Sequence, residues 1–342
     1  MTQLPIGKSF TPEQLGELFV AVEDQPYGNP SLGYRMMVPQ GWTADTLQAE
    51  SAGLNTSQLK PLGVFFSDPS DGAHAYIQIQ AIRLTKTITA ANWLRHFAIT
   101  TEKDIKVINE ISPLFVDSLL SFNIEDSRFL GRTACRIDKN RLFLLLMLAV
   151  EEAYEPLAEF FGVGVASFKL LDQDPAATIE PYVSLQGPGN LQFSYPNSWR
   201  SLVNQESVPG KKAIDLYNFD DENNLNGLIR VKSASKQPSH NIDALVHSLL
   251  SEFQESNLII NGLRHQVEVP IETTHFFNGH CDIYAANIAG SEIPQELWLT
   301  TFEDAAYYYG IVLLTPVKEH IFYVWAINQR TYQIILSSID QI

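Results

Sequence analysis

The 342-residue sequence is short of the residues that several familiar tasks require. Two cysteines, Cys135 and Cys281, cannot make a disulfide framework, and without clustered histidines two thiols cannot close a structural zinc site. No such staple is needed, because the length accommodates two domains that each bury most of their apolar surface. Basic residues are scarce as well: 23 Lys and Arg stand against 39 Asp and Glu. The formal charge of −16 and the absence of any basic cluster argue against nucleic acid as a partner. Long apolar runs are also missing. The densest, Leu142 to Val150, is about half of what a bilayer-crossing helix needs, so no integral membrane segment is expected. Met1 to Lys8 lacks the charged region and apolar run of a secretory signal, which makes the cytoplasm the expected compartment.

What is present is a repeat. Val38-Pro39-Gln40-Gly41-Trp42 and Tyr195-Pro196-Asn197-Ser198-Trp199 have the same form: a strand, a proline that ends it, and a tryptophan three residues on. A Pro-Tyr pair precedes each, Pro26-Tyr27 and Pro181-Tyr182, and the two cysteines fall at nearly corresponding places, each shortly after a glycine, Gly131 and Gly279. A hairpin follows in each half. In the first, Val64-Phe65-Phe66 runs through the turn formers Asp68 to Gly72 into Tyr76-Ile77-Gln78-Ile79-Gln80. In the second, Ala213 to Tyr217 runs through Phe219 to Asn224 into Gly227 to Lys232.

An amphipathic helix is predicted after each hairpin. In the first half it follows Thr89 and carries Trp93, Leu94 and Phe97. In the second it is capped by Ser239 or Asn241 and carries Ile242, Leu245, Val246, Leu249 and Phe253 on one stripe. Further strands close each half: about Asp282 to Ile288, Glu296 to Phe302, Tyr307 to Leu314 and Phe322 to Ala326 in the second, compressed into Leu142 to Glu151 in the first. A last helix ends each half, and Gly162 and Gly164 in the first of these point to close approach by a neighbouring element. The polar stretch Asp172 to Ala177 separates two expected domains, 1–174 and 175–342. The expected fold class is α+β, two tandem domains that are each a curved, mainly antiparallel sheet packed with helices.

This order, with the Pro-x-x-Trp turn, hairpin, amphipathic helix, meander and closing helix, resembles the PsbP-like superfamily. The resemblance implies an α/β/α sandwich in each half. That superfamily also holds the effector-associated (Eag) chaperones of type VI secretion, and an acidic chain without an export signal is closest in character to them. It implies a non-enzymatic adaptor or chaperone for a protein client, holding an apolar or amphipathic segment of a secreted effector. Two covalently joined copies would then be an internal pseudo-dimer.

No catalytic residue, metal ligand or cofactor is expected. The string His280-Cys281-Asp282 carries a thiol, a base and an acid, but neighbours on a strand point to opposite faces, so the thiol and imidazole would not meet. The alternative function, a hydrolase-like enzyme, would place its site at His280 and Cys281 in a cleft between the domains. Asp220-Asp221-Glu222 lacks the ligand spacing of a calcium loop and reads as a solvated turn. Gly187-Pro188-Gly189 and Gly162-Val163-Gly164 lack the Lys and Ser or Thr of a phosphate loop. The expected binding surface is the sheet face left uncovered by helices. With Ile77, Ile79, Ile229 and Val231 facing the core, alternation sends Tyr76, Gln78 and Gln80 of the first half and Leu228 and Arg230 of the second to that face.

Overall fold

A computed structural model of the chain describes residues 4, 10–45, 53–174, 176–205, 212–237, 241–268 and 276–341. Ser239, His240, His275 and Pro175 lie outside the described residues. The chain divides into two compact units, Met1–Thr85 with Thr89–Ile179, and Lys86–Ile88 with Glu180–Ile342.

The first unit contains α1 (Pro12–Leu18), β1 (Phe19–Asp24), β2 (Tyr34–Pro39), β3 (Thr43–Ala44), β4 (Lys60–Phe66) and β5 (Tyr76–Arg83). It continues with α2 (Ala90–Thr100), β6 (Asp104–Ser112), β7 (Phe115–Ile124), β8 (Ser127–Asp138), β9 (Arg141–Val150), α3 (Glu151–Ser167) and β10 (Lys169–Leu170). The second unit contains β11 (Tyr182–Gln186), β12 (Leu191–Pro196), β13 (Arg200–Gln205), β14 (Lys212–Phe219), β15 (Leu225–Ser235) and α4 (Ile242–Glu255). Then come β16 (Leu258–Glu268), β17 (Phe277–Ile288), β18 (Pro294–Glu303), β19 (Tyr307–Pro316), α5 (Phe322–Ser337) and β20 (Asp340–Gln341).

Each unit is built on a seven-stranded antiparallel sheet, and the two strand orders correspond: β3-β4-β5-β9-β8-β7-β6 and β13-β14-β15-β19-β18-β17-β16. A three-stranded sheet accompanies each, β1-β2-β10 and β11-β12-β20. The fold is α+β in two sheet-containing halves, with helices on both faces of each large sheet. In the first unit Ile77, Ile79, Phe143, Leu145 and Met147 on one sheet face pack with Tyr34, Met36 and Val38 of β2 and with Tyr154 and Phe161 of α3. In the second, Ile229, Val231, Ile311 and Leu313 pack with Phe193 and Tyr195 of β12 and Tyr332 and Ile335 of α5. On the opposite face α4 buries Leu245, Leu249 and Phe253 against Leu297, Leu299, Val312 and Leu314.

Local signals account for much of this. Pro39 and Pro196 end β2 and β12, and each accepts the same turn-closing hydrogen bond, from Trp42 N at 3.3 Å and Trp199 N at 3.0 Å. Thr89 and Asn241 cap α2 and α4 by accepting from the third backbone N–H of each helix. Gly164 has the close neighbour expected of it, because a Cβ there would lie 2.8 Å from Met147 Sδ.

Four expectations fail. The first half is not compressed: it holds β7 and β8 besides β9, in the order of β17, β18 and β19. Those two strands escape an alternation test because they bury polar residues that satisfy one another. Arg132 grips Asp117 through Nε at 3.2 Å and Nη2 at 2.7 Å, and Ser118 Oγ donates to Thr133 O at 3.1 Å. With that hairpin restored, the cysteines do not correspond: Cys135 lies on β8, whereas Cys281 lies on β17, the counterpart of β7. Nor do the Pro-Tyr pairs, since Pro26-Tyr27 follows β1 and Tyr182 opens β11. Phe322 to Ala326, expected as a strand, begins α5, where Trp325, Asn328, Tyr332 and Ile335 recur at helical spacing on the buried side.

Candidate functional site

Alternation on β5 holds as expected. Ile77 and Ile79 are buried, and Tyr76, Gln78 and Gln80 are half-buried on the other face. That face is not bare, however. In the first unit α2 packs over β6, β7 and β8. The face beside it becomes a groove of about 560 Å³ rather than an open sheet. The β5–β9 register sets Tyr76 opposite Leu148 and Gln78 opposite Leu146, and all four line the groove with Gln80. The last turn of α2 contributes Phe97, the end of β7 contributes Phe122, and Lys103 lies between them, its Nζ 4.5 Å from the Phe122 ring centroid and 5.6 Å from that of Phe97. Burial lowers the Lys103 pKa and raises that of Tyr76. The result is a trough of aromatic and aliphatic surface whose walls also carry the amides of Gln78, Gln80 and Asn123, the Lys103 ammonium and the Glu102 carboxylate, suited to holding an apolar chain while pairing its polar atoms.

The second unit treats the same positions differently. Matching Ile77↔Met147 and Ile79↔Leu145 with Ile229↔Leu313 and Val231↔Ile311 sets Tyr76 against Leu228, Gln78 against Arg230 and Leu144 against Gly310. A Cβ on Gly310 would lie 2.4 Å from Leu249 Cδ1, so the missing side chain admits α4 onto β19. Leu144, fully buried, fills the matching place on β9 and prevents α2 from closing down on the central strands in that way. The surface expected around Leu228 and Arg230 is therefore corrected. Leu228 packs into the α4 cluster, and Arg230, its side chain only 18% exposed, pairs with Asp215 at 2.7 Å and Glu252 at 3.2 Å. Hydrogen bonding to Asp215, then burial and the charges of Asp215 and Glu252, act on the guanidinium with a net upward shift of its pKa. Buried Lys232 shares Glu252. In the first unit the pair matching Asp215 and Arg230 is Val64 and Gln78, with no charge to hold a helix down.

His280 and Cys281 do not form a nucleophile and base. Cys281 is buried opposite Thr300, and burial raises its thiol pKa, which keeps it protonated and unreactive. His280 pairs with Thr301 on the other face, Oγ1 lying 3.2 Å from Nε2. Asp282 binds Gln266 Nε2 at 2.9 Å and Tyr284 Oη at 3.3 Å. Asp220 accepts from Glu222 N, Asn224 N and Asn224 Nδ2, the geometry of a hairpin turn. Among the described residues no group of three or more His, Cys, Asp or Glu side chains could hold a metal ion. Among them, too, no helix is long and apolar enough to cross a membrane.

Sequence reasoning named Tyr76, Gln78 and Gln80 but missed the other side of the groove. Phe97 reads as one more residue of a core stripe, and Leu146 and Leu148 sit in an apolar run without alternation, so nothing local tells which face they take.

No family model and no curated protein matches the chain. Among solved structures it is similar to cyanobacterial PsbP (CyanoP) from Synechocystis sp. PCC 6803, at 12% identity and a TM-score of 0.34, over 45% of this chain and 92% of that one. A protein from Bacteroides thetaiotaomicron VPI-5482 is similar at 14% identity and a TM-score of 0.29, over 46% of this chain and 48% of that one. DynU16, from the dynemicin biosynthetic locus, aligns over 94% of this chain and 96% of its own at 10% identity and a TM-score of 0.14. At such TM-scores none of these likenesses bears on activity.

Proposed function

We propose that this chain is a non-enzymatic binding protein, an adaptor or chaperone whose first unit holds an apolar segment of a protein client. The observation that carries the proposal is the groove, where Phe97, Phe122, Leu146 and Leu148 form an apolar lining edged by Tyr76, Gln78, Gln80 and Lys103. Its composition supplies contact area and hydrogen bonds to such a segment. The repeated strand order supports a duplicated domain, and the sequence resemblance to the PsbP-like superfamily supports two such copies acting as an internal pseudo-dimer in the cytoplasm. Its chaperone members suggest a secreted effector as client. In this reading the second unit, with its helix locked down by Asp215, Arg230 and Glu252, is the structural partner, and the first unit does the binding.

Affinity capture with the full chain, followed by the Tyr76→Asp/Gln78→Asp variant, tests this. The variant is expected to keep a cooperative thermal transition and to lose the captured client, whereas His280→Ala keeps it. Undiminished capture by the folded double variant overturns the assignment.

A further inference from the structure

A second cavity of the first unit, about 470 Å³ and separate from the groove, lies among β1, β2, the end of β3 and β4. Its walls are unlike those of the groove. Tyr27, Tyr34 and Phe65 line it together with Asp24 and Asp45, and among the described residues no Lys, Arg or His lines it. Tyr34 is 1% exposed, yet its hydroxyl has no hydrogen-bond partner among the described residues. That hydroxyl is aimed at the cavity wall: a Cβ on Gly63, itself a lining residue, would lie 2.2 Å from it. Asp24 stands directly opposite Tyr34 in the β1–β2 register, which puts the two side chains on the same face of that sheet, and both line the cavity. Burial, then the charge of Asp24, raises the Tyr34 pKa, consistent with a hydroxyl that stays protonated there.

Tyr27 adds two observations. It is held at φ 59°, a left-handed conformation unusual for a bulky residue, with its hydroxyl donating to Pro61 O at 2.6 Å. One face of its ring is occupied, because Lys60 Nζ lies 4.0 Å from the ring centroid. The second unit differs at three of these positions. Leu191 matches Tyr34, Ile214 matches Gly63, and Gly187 matches Asp24, so neither the hydroxyl nor the acid is present at those positions.

We propose that this cavity binds a small organic cation carrying an ammonium group, with Asp24 neutralising its charge and Tyr34 Oη accepting a hydrogen bond where the ammonium has one to give. An anion would face the Asp24 carboxylate here, and a neutral ligand would offer that carboxylate no counter-charge.

Calorimetric titration of the full chain with putrescine and with choline tests the proposal, with 3,3-dimethylbutan-1-ol as the uncharged isostere of choline. Saturable binding of at least one amine is expected, and none of the alcohol. Asp24→Asn, which changes an exposed carboxylate, and Tyr34→Phe, which deletes a hydroxyl with no hydrogen-bond partner among the described residues, are each expected to weaken binding of putrescine, or of choline for Asp24→Asn, by about fivefold or more, the scale of one charged contact. Absence of saturable binding by both amines, equal binding of the alcohol, displacement by equimolar Mg²⁺, or affinities unchanged in both folded variants would overturn it. Client capture through the groove is measured separately, so either assignment can fail without the other.

Discussion

Replacing Gly310 by alanine perturbs the contact that separates the two units. The new Cβ would sit 2.4 Å from Leu249 Cδ1, with Leu245 Cδ2 and Leu299 Cδ1 at 3.8 Å closing off retreat. Carbon atoms rest at about 3.5–4.0 Å, so a shift of roughly 1.1–1.6 Å is demanded of a leucine that is fully buried. A leucine tip can rotate, but into occupied space, and overpacking of this kind costs about 1–3 kcal/mol. For a unit of this size that corresponds to a fall in Tm of roughly 2–12 °C. Leu249→Ala by itself leaves a cavity and costs about 2–5 kcal/mol. The alanine at position 310 would project into that same space, so the double variant is expected to be more stable than the sum of the two single losses predicts by about 1 kcal/mol or more. Chemical denaturation of the full chain, followed by tryptophan fluorescence and far-ultraviolet circular dichroism, measures all four corners of the cycle. A neutral Gly310→Ala, or strictly additive losses, would refute the reasoning that this glycine admits α4.

Two tyrosines on corresponding sides of the two sheets should respond oppositely to loss of their hydroxyls. Tyr154 Oη is buried without a hydrogen bond in the described structure, whereas Tyr332 Oη bonds Thr300 Oγ1 at 2.6 Å and Ile311 O at 3.2 Å. Tyr154→Phe is expected to leave stability unchanged or raise it, and Tyr332→Phe to lower it by about 1–3 kcal/mol, with denaturation midpoints as the readout and the reverse order as the disproof. Alkaline pH should unfold the chain through these same groups. Burial raises Tyr34, Tyr309 and Tyr332 and pushes Tyr154 to about 12, so the native state keeps protons that an unfolded chain loses above about pH 10. Stability is therefore expected to be whole below that pH and to fall as pH rises toward about 12. Tyrosinate absorbance should then lag for the buried groups until far-ultraviolet dichroism collapses; full titration of all 13 tyrosines near pH 10 with the fold intact would contradict this.

The sequence by itself determined what depends on neighbours within a few residues. Pro39 and Pro196 end their strands because proline has no N–H to give. Thr89 and Asn241 start helices because their side chains accept from the third helical N–H. Ile77 and Ile79 face inward and Gln78 outward because a strand alternates. The tertiary structure decided what depends on residues far apart in the chain. β7 and β8 became recognisable only once Asp117 and Arg132, polar and fifteen residues apart, had paired in the interior. The cation cavity needs Tyr34 and Gly63 together, a large side chain with a space left for its hydroxyl, and neither residue signals the other along the chain. Whether the face carrying Gln78 stays open was settled by volume. Leu144 occupies the place that Gly310 vacates for Leu249, so a helix of similar pattern lies beside the groove in one unit and over the central strands in the other. A local pattern fixes which way a side chain points, but whether anything covers it is set by the packing of elements that the pattern does not contain.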